Sequence, residues 1–209
     1  MRTICLLAQK GGTGKTTLCL HLAVLASELG RDAAIIDIDP QASASAWKRR
    51  RQSGMPEVFR HNARDLSAVL TRQAQNDRDL VLLDTAPHSS QDAATAVELA
   101  DLVLIVSRPA ILYLEAIGES VKIVKKQATQ SAIVLNACPP PGRGRETAIV
   151  REAREALDVY GLPVSPPSVA QRAAFSHALI DGRAVTEFET TGKAATEIRN
   201  LYDWIETQW

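Results

Sequence analysis

Aromatic side chains are scarce in this sequence: three tryptophans, three tyrosines and three phenylalanines among 209 residues. None interleaves with the basic runs, which excludes a base-stacking platform for single-stranded nucleic acid. An excess of charge is missing as well. Lys and Arg number 24, and so do Asp and Glu, so any nucleic-acid binding has to come from a local patch and not from the field of the whole molecule. Cysteine is limited to Cys5, Cys19 and Cys138, with no C-x-x-C pair. That excludes a disulfide framework and predicts buried free thiols in a reducing compartment. No stretch approaches the ~20 apolar residues of a membrane span, and "RTICLLAQK" is too short an apolar run for a signal peptide. A cytoplasmic protein is expected. The length suits one domain, 1–209, able to bury a core without disulfides or a structural metal.

What the chain does contain is a regular alternation. The runs 3–8, 33–37, 80–84, 102–107 and 132–137 are apolar without polar alternation, as in strands of a parallel sheet covered on both faces. Between them, 16–29, 41–53, 63–76, 90–99, 111–128 and 145–160 carry helical spacing. A last helix, roughly 189–207, places Ile198, Leu201, Tyr202, Ile205 and Trp209 for docking on the sheet. The expected fold is α/β, a single doubly wound, mostly parallel sheet with helices on both faces. Ligands of such sheets bind at the carboxyl ends of the strands.

The first strand runs into "AQKGGTGKTT", residues 8–17. Strand, glycine-rich loop, Lys-Thr and helix together are the setting of a Walker A phosphate loop. Gly11, Gly12 and Gly14, with Thr13 between them, let backbone N–H groups converge on phosphate oxygens. The helix start adds partial positive charge. Lys15 supplies a charge to the β- and γ-phosphates, the Thr16 hydroxyl is placed to ligate Mg²⁺, and Thr17 can bond the α-phosphate. "LVLLDTAP" (80–87) ends a strand in Asp84, as a Walker B strand does; the carboxylate either holds Mg²⁺ through water or caps a helix. "IIDIDPQAS" (35–43) sets Asp37 and Asp39 two residues apart at another strand end, a weak signal alone because acids commonly cap helices there.

The loop departs from G-x-x-x-x-G-K-[ST], since Gln9 stands where the first glycine would fall and Lys10 precedes the glycines. In that form, K-G-G-T-G-K-T-T, it resembles the deviant Walker ATPases of the ParA/MinD group. The resemblance covers essentially the entire chain: "DPQASASAW" (39–47) is similar to the D-P-Q-x-S-x-x-x-W run of short, ParF-like ParA proteins, and "VAQRAAFSHALIDGRAVTE" (169–187) to their late segment. It implies a P-loop fold of deviant Walker type and slow, partner-stimulated ATP hydrolysis with ATP and Mg²⁺. It also implies a homodimer closed by ATP, in which Lys10 reaches the nucleotide held by the other subunit. Asp39 would orient the attacking water, Asp37 would support the Mg²⁺ shell, and Asn136 would read the adenine edge unless it is only a turn residue. Pro139 to Pro141 would wall the base, and His88 and Ser89 would face the γ-phosphate. With nine residues before Lys10, the chain is expected to lack the helix-turn-helix extension of longer relatives.

The same resemblance implies nonspecific binding of double-stranded DNA by the ATP dimer and a ParB-like or small centromere-binding partner that releases it, at the nucleoid in the cytoplasm. Phosphate contacts would come from basic residues on one face, with Arg172, Arg183, Lys193 and Arg199 as candidates. Arg143 and Arg145 are further loop candidates, and "WKRRR" (47–51) reads better as a solvated helix end. A MinD-like membrane switch would need a basic amphipathic C-terminal helix, whereas "EIRNLYDWIETQW" carries Asp203 and Glu206. An iron–sulfur reductase would need a cysteine pair at a dimer axis. A ligase of dethiobiotin synthetase type would not call for the early lysine.

Overall fold

The computed structural model describes residues 1–87, 90–142 and 144–209. His88, Ser89 and Arg143, named above, lie outside the described residues. Six strands form one all-parallel sheet: β1 (Arg2–Leu7), β2 (Ala33–Asp37), β3 (Glu57–Arg60), β4 (Leu80–Asp84), β5 (Leu102–Ser107) and β6 (Ser131–Leu135), in the order β3-β2-β4-β1-β5-β6. Successive side chains alternate between faces. Ile4, Leu6, Ile35, Leu82 and Leu104 join one core, and Cys5, Leu7, Ile36, Leu83 and Ile105 join the other. The chain adopts the expected doubly wound α/β fold.

Helix α1 (Lys15–Glu28) lies in the first core and is buried nearly all round, from Leu18 to Ala26. An amphipathic stripe is not needed there, because sheet and helices enclose it. Beside it lie α2 (Ser43–Lys48), α7 (Ala173–Ile180), α8 (Val185–Phe188) and α9 (Lys193–Glu206). Helices α3 (Leu66–Gln75), α4 (Ser90–Glu98), α5 (Ile111–Gln127) and α6 (Ala148–Leu157) cover the second face. The expected docking of the last helix is found: Ile198, Leu201, Tyr202 and Ile205 are buried against the first core, with Trp209 packed on it.

Four elements differ from the sequence expectation. Strand β3 is a four-residue edge strand, only partly buried, so no apolar run announces it. Its start is tied down by buried Arg78, which donates to Glu57 and Asp32. Helix α2 stops at Lys48 instead of running to 53, because Lys48 turns to donate to the carbonyls of Ser53, Gly54 and Pro56. Helices α7 and α8 come from the late segment, which is short and apolar and carries no clear period.

His21 has a structural task inside α1. Its ring is fully buried beside Phe175, 5.1 Å between centroids, and Nδ1 accepts the Val185 N–H at 3.2 Å. Burial pushes its pKa down to about 3. The unfolded chain therefore binds this proton first, and the stability contributed by neutral His21 is present above about pH 6.5 and lost as pH falls toward 3. Denaturant unfolding at pH 7.5 and 4.5 should show His21→Gln losing less stability than the native chain over that interval, by roughly 2–3 kcal/mol. Equal losses would remove His21 from the acid response.

Candidate functional site

The register of the central strands decides where charge collects. Leu6 of β1 pairs with Asp84 of β4, and Asp84 pairs with Asp37 of β2. Two carboxylates thus stand side by side at the carboxyl ends of adjacent strands, on the face that α1 covers. The chain leaves β1 there and enters the glycine loop. Gly12 and Gly14 take positive φ, 76° and 95°. At Gly14 a side chain is also sterically barred, since an added Cβ would lie 2.2 Å from Asn136 Nδ2. That amide donates to the Thr13 carbonyl at 2.7 Å, so Asn136 braces the loop from the end of β6. Gly14 caps α1 without a side chain, leaving the first-turn N–H groups to face the loop's concavity.

Lys15 is buried, 7 % exposed. Burial presses its pKa below the usual lysine range, while Asp84 and Asp39 pull the other way. Asp84 is 0 % exposed, and neither carboxylate oxygen has a well-formed hydrogen bond among the described residues. Burial raises its pKa to about 7, against the Thr16 hydroxyl and the Lys15 charge, which favour the anion. A buried carboxylate without a well-formed hydrogen bond among the described residues, beside a threonine hydroxyl, is an oxygen donor set suited to a hard dication such as Mg²⁺.

Asp37 is equally buried but already satisfied. Oδ1 accepts the Asp39 N–H at 3.2 Å, and Oδ2 accepts the N–H and hydroxyl of Ser45 at 2.9 and 2.8 Å. It therefore holds the Asp39 loop and the start of α2 in place, and any part in a cation shell is at one remove. Asp39 is partly exposed and accepts the Gln41 N–H at 2.9 Å. Ser45 was not singled out from sequence; the signal available was its place eight residues after Asp37, at the start of a helix.

Lys10 does not turn into the loop it precedes. Its Nζ donates to the Leu112 carbonyl at 3.0 Å and lies 4.6 Å from the Tyr113 ring centroid, at the start of α5. Ile111 and Leu112 beside it are 67 % and 63 % exposed. A cavity of about 150 Å³ opens next to the loop, lined by Gly14, Thr17, Asn136, Gln171, Phe175 and others. Pro139 and Pro141 line a different cavity, with Cys138, Glu146 and Ser168.

The basic candidates divide. Arg172 donates through Nε and Nη2 to Glu197 Oε1 at 3.0 and 2.6 Å, clamping α7 to α9. Arg183 pairs with Asp181 and lies 4.9 Å from the Phe188 ring centroid. Arg199 donates to the Thr190 carbonyl, and Lys193 is exposed at the start of α9. In the 47–51 run the solvated reading holds for Arg49 and Arg50 only. The Arg51 side chain is only 3 % exposed, forms a two-pronged pair with Glu187 and packs over Trp47. Arg145 is exposed in a turn with Gly142. All three cysteines are buried free thiols, as expected.

Fold, loop and acidic pair define a P-loop nucleotide-binding protein. The profile of the CobQ/CobB/MinD/ParA nucleotide binding domain matches residues 4–185, and the chain belongs to that family. It is 26% identical to Maintenance of carboxysome distribution protein A of Halothiobacillus neapolitanus, over 90% of this chain and 88% of that protein. It is 27% identical to Protein IncC of Escherichia coli, over 100% of this chain and 70% of the relative. Among solved structures, apo McdA of Cyanothece superposes with a TM-score of 0.82 at 17% identity, covering 98% of this chain and 99% of that one. The cell division ATPase MinD of Pyrococcus furiosus gives 0.76 at 22%, covering 100% and 99%. The chain is thus close to the ParA, McdA and MinD positioning ATPases.

Removing the Asp84 charge gives a direct test of the site's electrostatics. Its folded pKa lies above the unfolded value, so without nucleotide or divalent cation its contribution to stability falls as pH rises from about 4 to 7. In the presence of a chelator at pH 8, Asp84→Asn should unfold at higher denaturant than the native chain, by about 2–4 kcal/mol. A less stable variant at that pH would show that Asp84 is already paired.

Proposed function

We propose that this chain is an ATP-dependent dimerising switch that partitions DNA or positions another large cargo, and that it hydrolyses ATP slowly until a partner protein stimulates it. The observation that carries the reading is the pair of lysines around one loop. Lys15 is buried at the head of α1 against two acids, whereas Lys10 is partly exposed and held on α5 by a single carbonyl and an aromatic ring. A cation so placed is available to a second subunit, and exposed Ile111 and Leu112 beside it supply apolar surface for that subunit to cover.

Within one subunit, the loop N–H groups and Lys15 bind and orient the phosphates, with Thr17 toward the α-phosphate. Thr16 and Asp84 would hold Mg²⁺, with Asp37 supporting from behind, and the ion would supply charge compensation on the phosphates. MinD of Pyrococcus horikoshii was solved with Mg-ADP, which supports this cofactor pair. Asp39, partly exposed beside Lys15, orients a water. Lys10 of the partner subunit completes the charge on the transferring phosphate, so turnover waits for the dimer.

Double-stranded DNA is the proposed surface for the ATP dimer, bound through phosphates without sequence preference. Lys193 and Arg199, with no acidic partner among the described residues, are better placed for it than Arg172 and Arg183, whose charges are met by Glu197 and Asp181. A ParB-like or other small DNA-binding protein would be the releasing partner. The membrane alternative is weakened by α9, whose apolar face is committed to the core. No helix among the described residues is long and apolar enough to cross a membrane.

The test is retention of random-sequence duplex DNA with ATP, with ADP, and with ATP at raised salt. Binding only with ATP and lost steeply with salt is expected; equal binding with ADP would refute the switch. Two variants dissect it. Lys10→Ala should still bind ATP yet remain monomeric in sedimentation. Asp39→Ala should bind ATP and stay dimeric on DNA, with hydrolysis reduced by at least about tenfold; undiminished turnover would remove Asp39 from the chemistry.

A further inference from the structure

A third cation stands at this site. Arg108 follows the last residue of β5, the strand beside β1, so it too lies at the carboxyl ends of the central strands. It lines the same cavity as Gly14, Thr17, Asn136, Gln171 and Arg172. Of the two arginines there, Arg172 is spent on Glu197, through Nε and Nη2. Arg108 has no acidic partner among the described residues. Its Nε is buried without a hydrogen bond to any described residue, and its guanidinium lies 5.5 Å from the centroid of the Tyr113 ring. A buried guanidinium N–H left unpaired costs free energy, and here it borders a cavity that the phosphate loop also borders.

We infer that Arg108 is a nucleotide-binding residue acting in cis, donating to a phosphate oxygen of the nucleotide held by its own Lys15, with Tyr113 positioning its guanidinium. The inference rests on the nucleotide-site reading above and adds to it a charge that the loop motif does not contain. The geometry separates the two outer cations by role. Arg108 borders the Thr17 side of the loop and serves the subunit's own ligand, while Lys10 is held outward on the same ring. A planar guanidinium suits this place, because it lies against an aromatic ring and still presents N–H groups to phosphate.

ADP titration reads this contact alone, because on the proposed reading ADP does not close the dimer. Arg108→Gln should weaken ADP binding by about tenfold, the scale of one charge-assisted hydrogen bond, and should flatten the dependence of ADP affinity on salt. Arg108→Lys should recover part of the affinity and the native salt dependence, and Tyr113→Leu should lose about threefold by freeing the guanidinium. Thermal unfolding of each variant checks that the fold persists. A change in ADP affinity below twofold in Arg108→Gln, or a salt dependence like that of the native chain, overturns the inference and leaves the loop reading intact. Failure of the native chain to bind ADP or ATP at all would instead overturn the loop reading, and this inference with it.

Discussion

A buried carboxylate with no well-formed hydrogen bond among the described residues governs the rest of this site. Asp84 stands at the end of a central strand, fully enclosed, with Lys15 and Thr16 arriving from the start of α1. Parallel registration fixes that meeting: Leu6, Asp84 and Asp37 are paired across β1, β4 and β2, so the loop after β1 has to pass the two acids. Proteins rarely tolerate such a group without a compensating ligand. The cost falls on the empty state, and a bound divalent nucleotide complex would lift it. That coupling of stability to occupancy is what a nucleotide switch requires.

Around this point the structure assigns different work to similar residues. Asp37 is as buried as Asp84, but its oxygens are taken by Ser45 and the Asp39 backbone, so it fixes a loop instead of offering itself to a ligand. Of the cations, Lys15 is enclosed, Arg172 is neutralised by Glu197, and Arg108 and Lys10 both rest against Tyr113. Availability of charge, not its presence, distinguishes binding groups from scaffolding here.

The sheet was legible in the sequence because buried parallel strands are unbroken apolar runs, and five of six showed as such. The edge strand β3 was not, since half-buried "EVFR" needs its neighbour β2 and buried Arg78 to be held as a strand. The phosphate loop was readable because glycines at positive φ and a Lys-Thr helix start leave a spacing that few other structures require. The partners of the acids were not readable: that Ser45 satisfies Asp37 while Asp84 goes unsatisfied depends on side chains meeting across elements. Arg51 shows the same limit. Its run of cations suggested solvent, but Glu187, 136 residues away, buries it.

If, on the proposed reading, a complete site takes residues from two subunits, two defective chains should repair each other when mixed. Lys15→Ala lacks its own phosphate lysine but keeps Lys10; Lys10→Ala has the reverse defect. Neither alone should form an ATP-dependent dimer, and an equimolar mixture should recover one, because the first chain's Lys10 serves the nucleotide held by the second. A mixture as monomeric as its components, while the native chain dimerises with ATP, would place Lys10 in its own subunit's site.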